Sequence, residues 1–180
     1  MTKTLDELAA LLEGQRGKPP LHKWQPELSG DIDIEIRADG RWFHEGTEIR
    51  RPELVRLFAS ILRREADGHY YLVTPVEKWR IRVLDQPLLI VDAEQAEGRI
   101  AMKTNTDDWL VLGPEHRLRV TTDSATGEPD PTVGLAHGLR AKLSRPVFYR
   151  LVEGAEERDG QLWIRSDGEA FSLGSVSGRA

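Results

Sequence analysis

The sequence predicts an α+β protein built as two similar halves, each a helix with an antiparallel sheet. Three features lead there: period-two alternation beginning at Asp31, two helical segments opened by Arg-Pro, and a late stretch that repeats an earlier one. A separate N-terminal helix precedes the halves. Thr4 and Glu7 stand three apart as a capping box, each side chain satisfying an otherwise unpaired backbone N–H. Leu5, Leu8, Leu11 and Leu12 then recur at helical spacing, and Gly14 and Gly17 can close the helix. The Pro-rich stretch 18–26 lacks apolar periodicity and reads as an extended, docked arm anchored by Trp24.

Ile32, Ile34 and Ile36 alternate with Asp31, Asp33 and Glu35, which describes a half-buried strand. Ala38-Asp39-Gly40 turns the chain toward Trp42 and Phe43, because Asp-Gly readily takes the positive φ of a tight hairpin. Pro52 opens a helix predicted over 52–65, with Leu54, Leu57, Phe58, Ile61 and Leu62 as its apolar face. Strands are predicted at 70–73, 77–83, 88–92, 99–105, 109–112 and 117–121, followed by a polar loop over 122–131. A shorter helix begins near Pro146, and two last strands, 161–165 and 169–173, are bracketed by Asp159-Gly160 and Ser166-Asp167-Gly168.

The repeat is read from spacing. Arg51-Pro52 and Arg56-Leu57 match Arg145-Pro146 and Arg150-Leu151 at one offset of 94. Asp67-Gly68 match Asp159-Gly160 at 92, an offset that also pairs Tyr71 with Trp163, Leu72 with Ile164, Trp79 with Phe171 and Ile81 with Leu173. The predicted division is an arm over 1–30, a first repeat over 31–105, a second over 106–173 and a flexible tail over 174–180.

Composition narrows the function. With 25 Lys and Arg against 30 Asp and Glu, the 180-residue chain carries a formal charge of −5. That argues against a whole-surface polyanion binder, so no DNA or RNA partner is expected. The absence of Cys removes disulfides and thiolate chemistry. The apolar runs at 88–91 and 109–112 are far shorter than the ~20 residues of a membrane span. Asp6, Glu7 and Glu13, without a basic segment before an apolar one, do not describe a signal peptide. The expectation is a cytoplasmic protein with no membrane partner.

Familiar catalytic patterns are missing: no phosphate-cradling Gly loop, no His-Glu-x-x-His, and Val176 where the Gly174-to-Gly178 stretch would need a nucleophilic Ser. The five histidines are scattered, so neither a metal site nor a cofactor is expected, and no catalytic residue is assigned. The acidic stripe Asp31, Asp33 and Glu35 reads as a solvated strand face with cross-strand Arg partners, or as a source of carboxylates for a cation or acid–base work. Lys78, Arg80 and Arg82 face away from Trp79, Ile81 and Val83; if Arg117 and Arg119 lie on the same sheet, their cations would form one field able to hold an anion. Trp109, beside Asp107 and Asp108, is the tryptophan expected to be exposed.

The stretch Trp42-Phe43-His44-Glu45-Gly46-Thr47-Glu48-Ile49-Arg50-Arg51, with Leu54 to Phe58, Ile61 to Glu65, Tyr70 to Lys78, Thr104-Asn105 and Glu115 to Val120, resembles the bacterial family called domain of unknown function 1285. The resemblance spans roughly 20–173; Arg117 departs from it, standing where Pro is expected in relatives. It implies a duplicated α+β architecture whose C-terminal half is similar to the pleckstrin-homology superfold. It further implies a small, nucleotide-like ligand between the halves and a signalling role, and it brings no catalytic residues.

The expected function is therefore a non-enzymatic module holding a small anionic ligand in a groove between its halves. Thr74, Lys78, Arg80 and His116 are the candidate anion contacts, Asn105 a polar orienter and Trp42 a wall. One alternative is a protein-interaction adaptor using a sheet edge or the helix at 52–65. Another is a hydrolase in which His44 or His116 lies within ~3.2 Å of a carboxylate, directly or through one water.

Overall fold

The structure, a computed structural model, describes residues 18–176. The predicted N-terminal helix lies outside the described residues. The chain divides after Pro87 into two compact units, with Ala136–Leu139 returning to the first.

In the first unit the sheet order is β3-β2-β1-β6-β5-β4. Its strands are β1 (Gly30–Ile36), β2 (Trp42–His44), β3 (Thr47–Glu48), β4 (Leu62–Arg64), β5 (Tyr70–Val73) and β6 (Lys78–Val83); α1 (Pro52–Ser60) joins β3 to β4. Every pairing is antiparallel except β1 with β6 at the centre. The alternation in β1 buries Ile32, Ile34 and Ile36 and leaves Asp31 and Asp33 outside. Leu54 and Phe58 of α1, Trp42, Leu72, Trp79 and Ile81 complete this core.

The helix predicted to reach Glu65 ends at Ser60. Ile61, Leu62 and Arg63 are three consecutive buried residues, which one face of a surface helix cannot supply. Ile61 caps the helix, and Leu62 and Arg63 enter β4 and pair with β5. Arg63 also fixes the arm: its Nη1 donates to the carbonyls of Leu21 and Trp24 at 3.2 and 2.8 Å. The arm is docked as predicted, but Leu21, in a short 3₁₀ turn, is its buried anchor, while Trp24 is half-buried.

The second unit repeats the sheet plan. Its strands β7 (Leu88–Ala96), β8 (Arg99–Thr104), β9 (Trp109–Val111), β10 (Leu118–Thr122), β11 (Pro129–Gly134) and β12 (Arg140–Leu143) lie in the order β9-β8-β7-β12-β11-β10. That is the order of the first sheet, with β7 and β12 forming the parallel central pair. The loop predicted over 122–131 is therefore only the turn between β10 and β11. The seam falls at Pro87, not at Asn105, because the ladder β7-β8-β9 runs through the latter.

After β12 come α2 (Arg145–Glu153) and a small sheet of β13 (Glu156–Arg158), β14 (Gln161–Ser166) and β15 (Glu169–Ser175). Here the repeat read from the sequence is realised as α1-β4-β5-β6 and α2-β13-β14-β15. Leu72 pairs with Trp79 and Ile164 with Phe171; Tyr71 pairs with Arg80 and Trp163 with Ser172, each at the predicted offset of 92. The two halves are thus similar, each with a mostly antiparallel sheet.

Ser166 ties the small sheet to the large one. Its hydroxyl, fully buried, donates to the Leu112 carbonyl at 2.6 Å and accepts from the Ile100 N–H at 2.8 Å. Ser166→Ala keeps the packing but leaves two buried backbone groups unpaired, so chemical unfolding should show a loss of about 2 kcal/mol.

Candidate functional site

Four of the residues predicted to touch an anion or wall its site lie in the first unit, and each serves the fold there. Trp42 is 1% exposed and stacks on Phe58, with ring centroids 6.3 Å apart. It is a core residue, not an open wall. Thr74 is buried, and its Oγ1 accepts from the N–H of Glu77 at 2.9 Å, closing the turn between β5 and β6.

Lys78 and Arg80 do share the open face of β6, but both are neutralised. Lys78 Nζ lies 2.8 Å from Glu65 Oε1 and over the Tyr71 ring. The other Glu65 oxygen accepts from Arg63 Nη2 at 2.7 Å. Burial pushes the Glu65 carboxyl up, yet the hydrogen bonds from Lys78 and Arg63, aided by their charges, outweigh it and leave the group below its ordinary value.

Arg80 grips Asp31 with two bonds, 2.7 and 3.2 Å, and Arg82 reaches Asp33 at 2.6 Å. The acidic and basic stripes are thus each other's partners across the parallel β1/β6 pair. The hydrogen bond from Arg80, helped by its charge, holds Asp31 below the usual carboxylate range. Arg119 lies on β10 in the other sheet and Arg117 just before that strand, so the single cationic sheet face expected from the sequence does not form. Arg117 pairs instead with Glu169 at 3.2 Å.

Asn105 and His116 belong to the second unit. Asn105 Oδ1 accepts from the Leu89 N–H at 3.1 Å, closing the ladder beyond β8. His116 Nδ1 lies 2.9 Å from the Gly134 carbonyl. A carbonyl only accepts, so Nδ1 carries a proton and donates this bond. The ring lines an open cleft of about 530 Å³ with Trp109, Val111, Glu115 and Asp167. Trp109 is 48% exposed, as its acidic neighbours suggested. His116 donates its orienting bond to a backbone carbonyl, and His44 Nε2 is 3.9 Å from Glu45, so neither makes the direct imidazole–carboxylate bond of the hydrolase reading among the described residues. Nor do three or more His, Cys, Asp or Glu side chains gather there to hold a metal.

A second cleft, about 340 Å³, lies over the outer face of the small sheet. Ile164 and Ser166 point into the core, while Gln161, Trp163 and Arg165 alternate onto the open side. Glu156 and Arg158, paired with Trp163 and Gln161, share that face. Arg80, Arg82, Arg99, Arg117, Arg145 and Arg150 are all held by acids. By contrast, the guanidinium groups of Arg158 and Arg165 have no hydrogen-bonding or ion-pairing partner among the described residues. Alternation along 161–165 puts Gln161, Trp163 and Arg165 on one face, but no motif in the sequence singles this cleft out. That both arginines lack acidic partners is a fact of three-dimensional pairing.

Fold and sites together define a duplicated, two-unit α+β protein with small-molecule-sized clefts in its second unit. Residues 19–86 match the family model described as domain of unknown function (DUF1285), N-terminal domain, and residues 87–173 match the DUF1285 C-terminal domain. The chain belongs to this family. It is similar to the crystal structure of a DUF1285 family protein from Silicibacter pomeroyi DSS-3, at 42% identity over 97% of each chain with a TM-score of 0.90. A DUF1285 family protein from Shewanella baltica OS155 is 32% identical, covering 68% of this chain and 92% of that one with a TM-score of 0.55. No match is found among curated proteins. No helix among the described residues is long and apolar enough to cross a membrane.

Proposed function

We propose that this protein is a cytoplasmic, non-enzymatic module that binds a small ligand through an acid group, in the cleft over β13–β15. The observation carrying this reading is that Arg158 and Arg165, free of acidic partners, line one cleft with the half-buried indole of Trp163. Guanidinium groups suit carboxylate and phosphate because their paired N–H groups match two oxygens at once. The indole offers a flat apolar floor. The volume sits near the low end of the ~300–1,000 Å³ that small-molecule sites occupy.

The second unit, with its mostly antiparallel sheets and α2, serves in this reading as a pleckstrin-homology-like binding module. In this reading the charged face of β6, paired with Glu65, Asp31 and Asp33, is structural.

The test is calorimetric titration with benzoate, phenyl phosphate and benzyl alcohol. Both acids should bind and the alcohol should not, and Arg158→Ala with Arg165→Ala should abolish the response while the melting temperature holds. Binding unchanged in the double variant, or absent from the unaltered protein, overturns the assignment.

A further inference from the structure

The register of the small sheet fixes the order of charges across the Trp163 cleft. Arg165 pairs with Ala170, Trp163 with Glu156 and Ser172, and Gln161 with Arg158. Directly paired residues share a face, and successive rows on that face are about 7 Å apart. Along the strand direction the rows therefore run Arg165, then Trp163 beside Glu156, then Gln161 beside Arg158. A carboxylate stands between two guanidinium groups, next to the ring that floors the cleft.

Asp159, in the turn after β13, lines the cleft as well. Gly154, two residues before Glu156, lines it without a side chain, and Ala170 is the small neighbour of Arg165, so there is room above that end. Two cations and two carboxylates give the lining no net charge. A ligand that is only anionic meets Glu156 and Asp159 as surely as it meets the arginines, and a multiply charged one is penalised more. A dipolar ligand finds a partner for each end.

We infer that the ligand is a ring-bearing zwitterion of the aromatic α-amino acid class. Its carboxylate lies on a guanidinium, its ammonium on Glu156 and its ring on Trp163. This rests on the reading above, that an acid group is held by Arg158 and Arg165, and adds the ammonium contact to it.

The experiment is a calorimetric comparison of L-phenylalanine, hydrocinnamate, which lacks the amine, and phenethylamine, which lacks the acid. Phenylalanine should bind about tenfold tighter than hydrocinnamate, the worth of one charge-assisted hydrogen bond, and phenethylamine most weakly. Glu156→Gln should erase the advantage of phenylalanine and leave hydrocinnamate unchanged; Glu156 is exposed, so its melting temperature serves as the folding control. Hydrocinnamate binding as tightly as phenylalanine, or an advantage that survives Glu156→Gln, overturns the ammonium contact and leaves the acid site standing. If none of the three binds, or phenethylamine binds best, both readings fall.

Discussion

Trp42→Ala is expected to destabilise the protein by about 3–5 kcal/mol, the usual cost of emptying a large aromatic site in a core. Trp42 is 1% exposed and packs on Phe58, itself fully buried, so nothing outside can refill the space. Its Nε1 is buried without a hydrogen-bond partner among the described residues. Trp42→Phe keeps a ring against Phe58 and removes that orphan donor, so it should cost far less than the alanine change. Urea unfolding of the two variants separates them. If Trp42→Ala left stability unchanged and weakened ligand binding instead, the core assignment would be wrong and the role as a site wall restored.

Arg63→Met is the second large effect, expected at about 3 kcal/mol by the same measurement. Methionine keeps an unbranched apolar stem in the space but strips the guanidinium. Two carbonyls of the arm, those of Leu21 and Trp24, lose their donor, and Glu65 is left with Lys78 alone. A local readout follows: the arm should loosen, and trypsin should cut after the exposed Lys23 sooner than in the unaltered protein. Cleavage at an unchanged rate would show that the arm is held by something other than Arg63.

The same cluster carries a pH dependence of known sign. The Glu65 carboxyl is lower in the folded chain than its ordinary 4.5. The unfolded chain therefore takes up this proton first as pH falls. The stabilisation is complete above about 4.5 and is lost as pH drops through the folded value. Glu65→Gln should lack this share of the acid sensitivity, while Asp31 and the other lowered carboxylates keep theirs.

Legibility followed the range of the interactions. Alternation in β1 and β6 depends on two-residue spacing and is legible, including the burial of Ile32, Ile34, Ile36, Trp79 and Ile81. The Arg-Pro helices and Asp-Gly turns were placed for the same reason, and the offset of 92 matched residues that occupy equivalent places in β5–β6 and β14–β15. The end of α1 was not legible, because Leu62 and Arg63 fit helical spacing as well as strand spacing, and only the partner strand β5 decides between them. The matching order of the two six-stranded sheets was equally hidden, since it is a property of pairing and not of residue identity. For the candidate site, the sequence singles out the basic face of β6, whereas the cleft holding Arg158 and Arg165 lies over β13 and β14.

What this sequence determined alone is local: which faces are apolar, where the chain turns, and that a helix followed by antiparallel strands occurs twice. Only the tertiary structure decided which charges are neutralised. Arg80 and Asp31 are 49 residues apart and meet because β1 and β6 lie side by side, whereas Arg158 and Arg165 share a cleft with Glu156 and Asp159 yet bond to no acid among the described residues. The physical reason is that a side chain's hydration and packing preferences act at its own position. The cancellation of one charge by another depends on distance through space, which no spacing along the chain records.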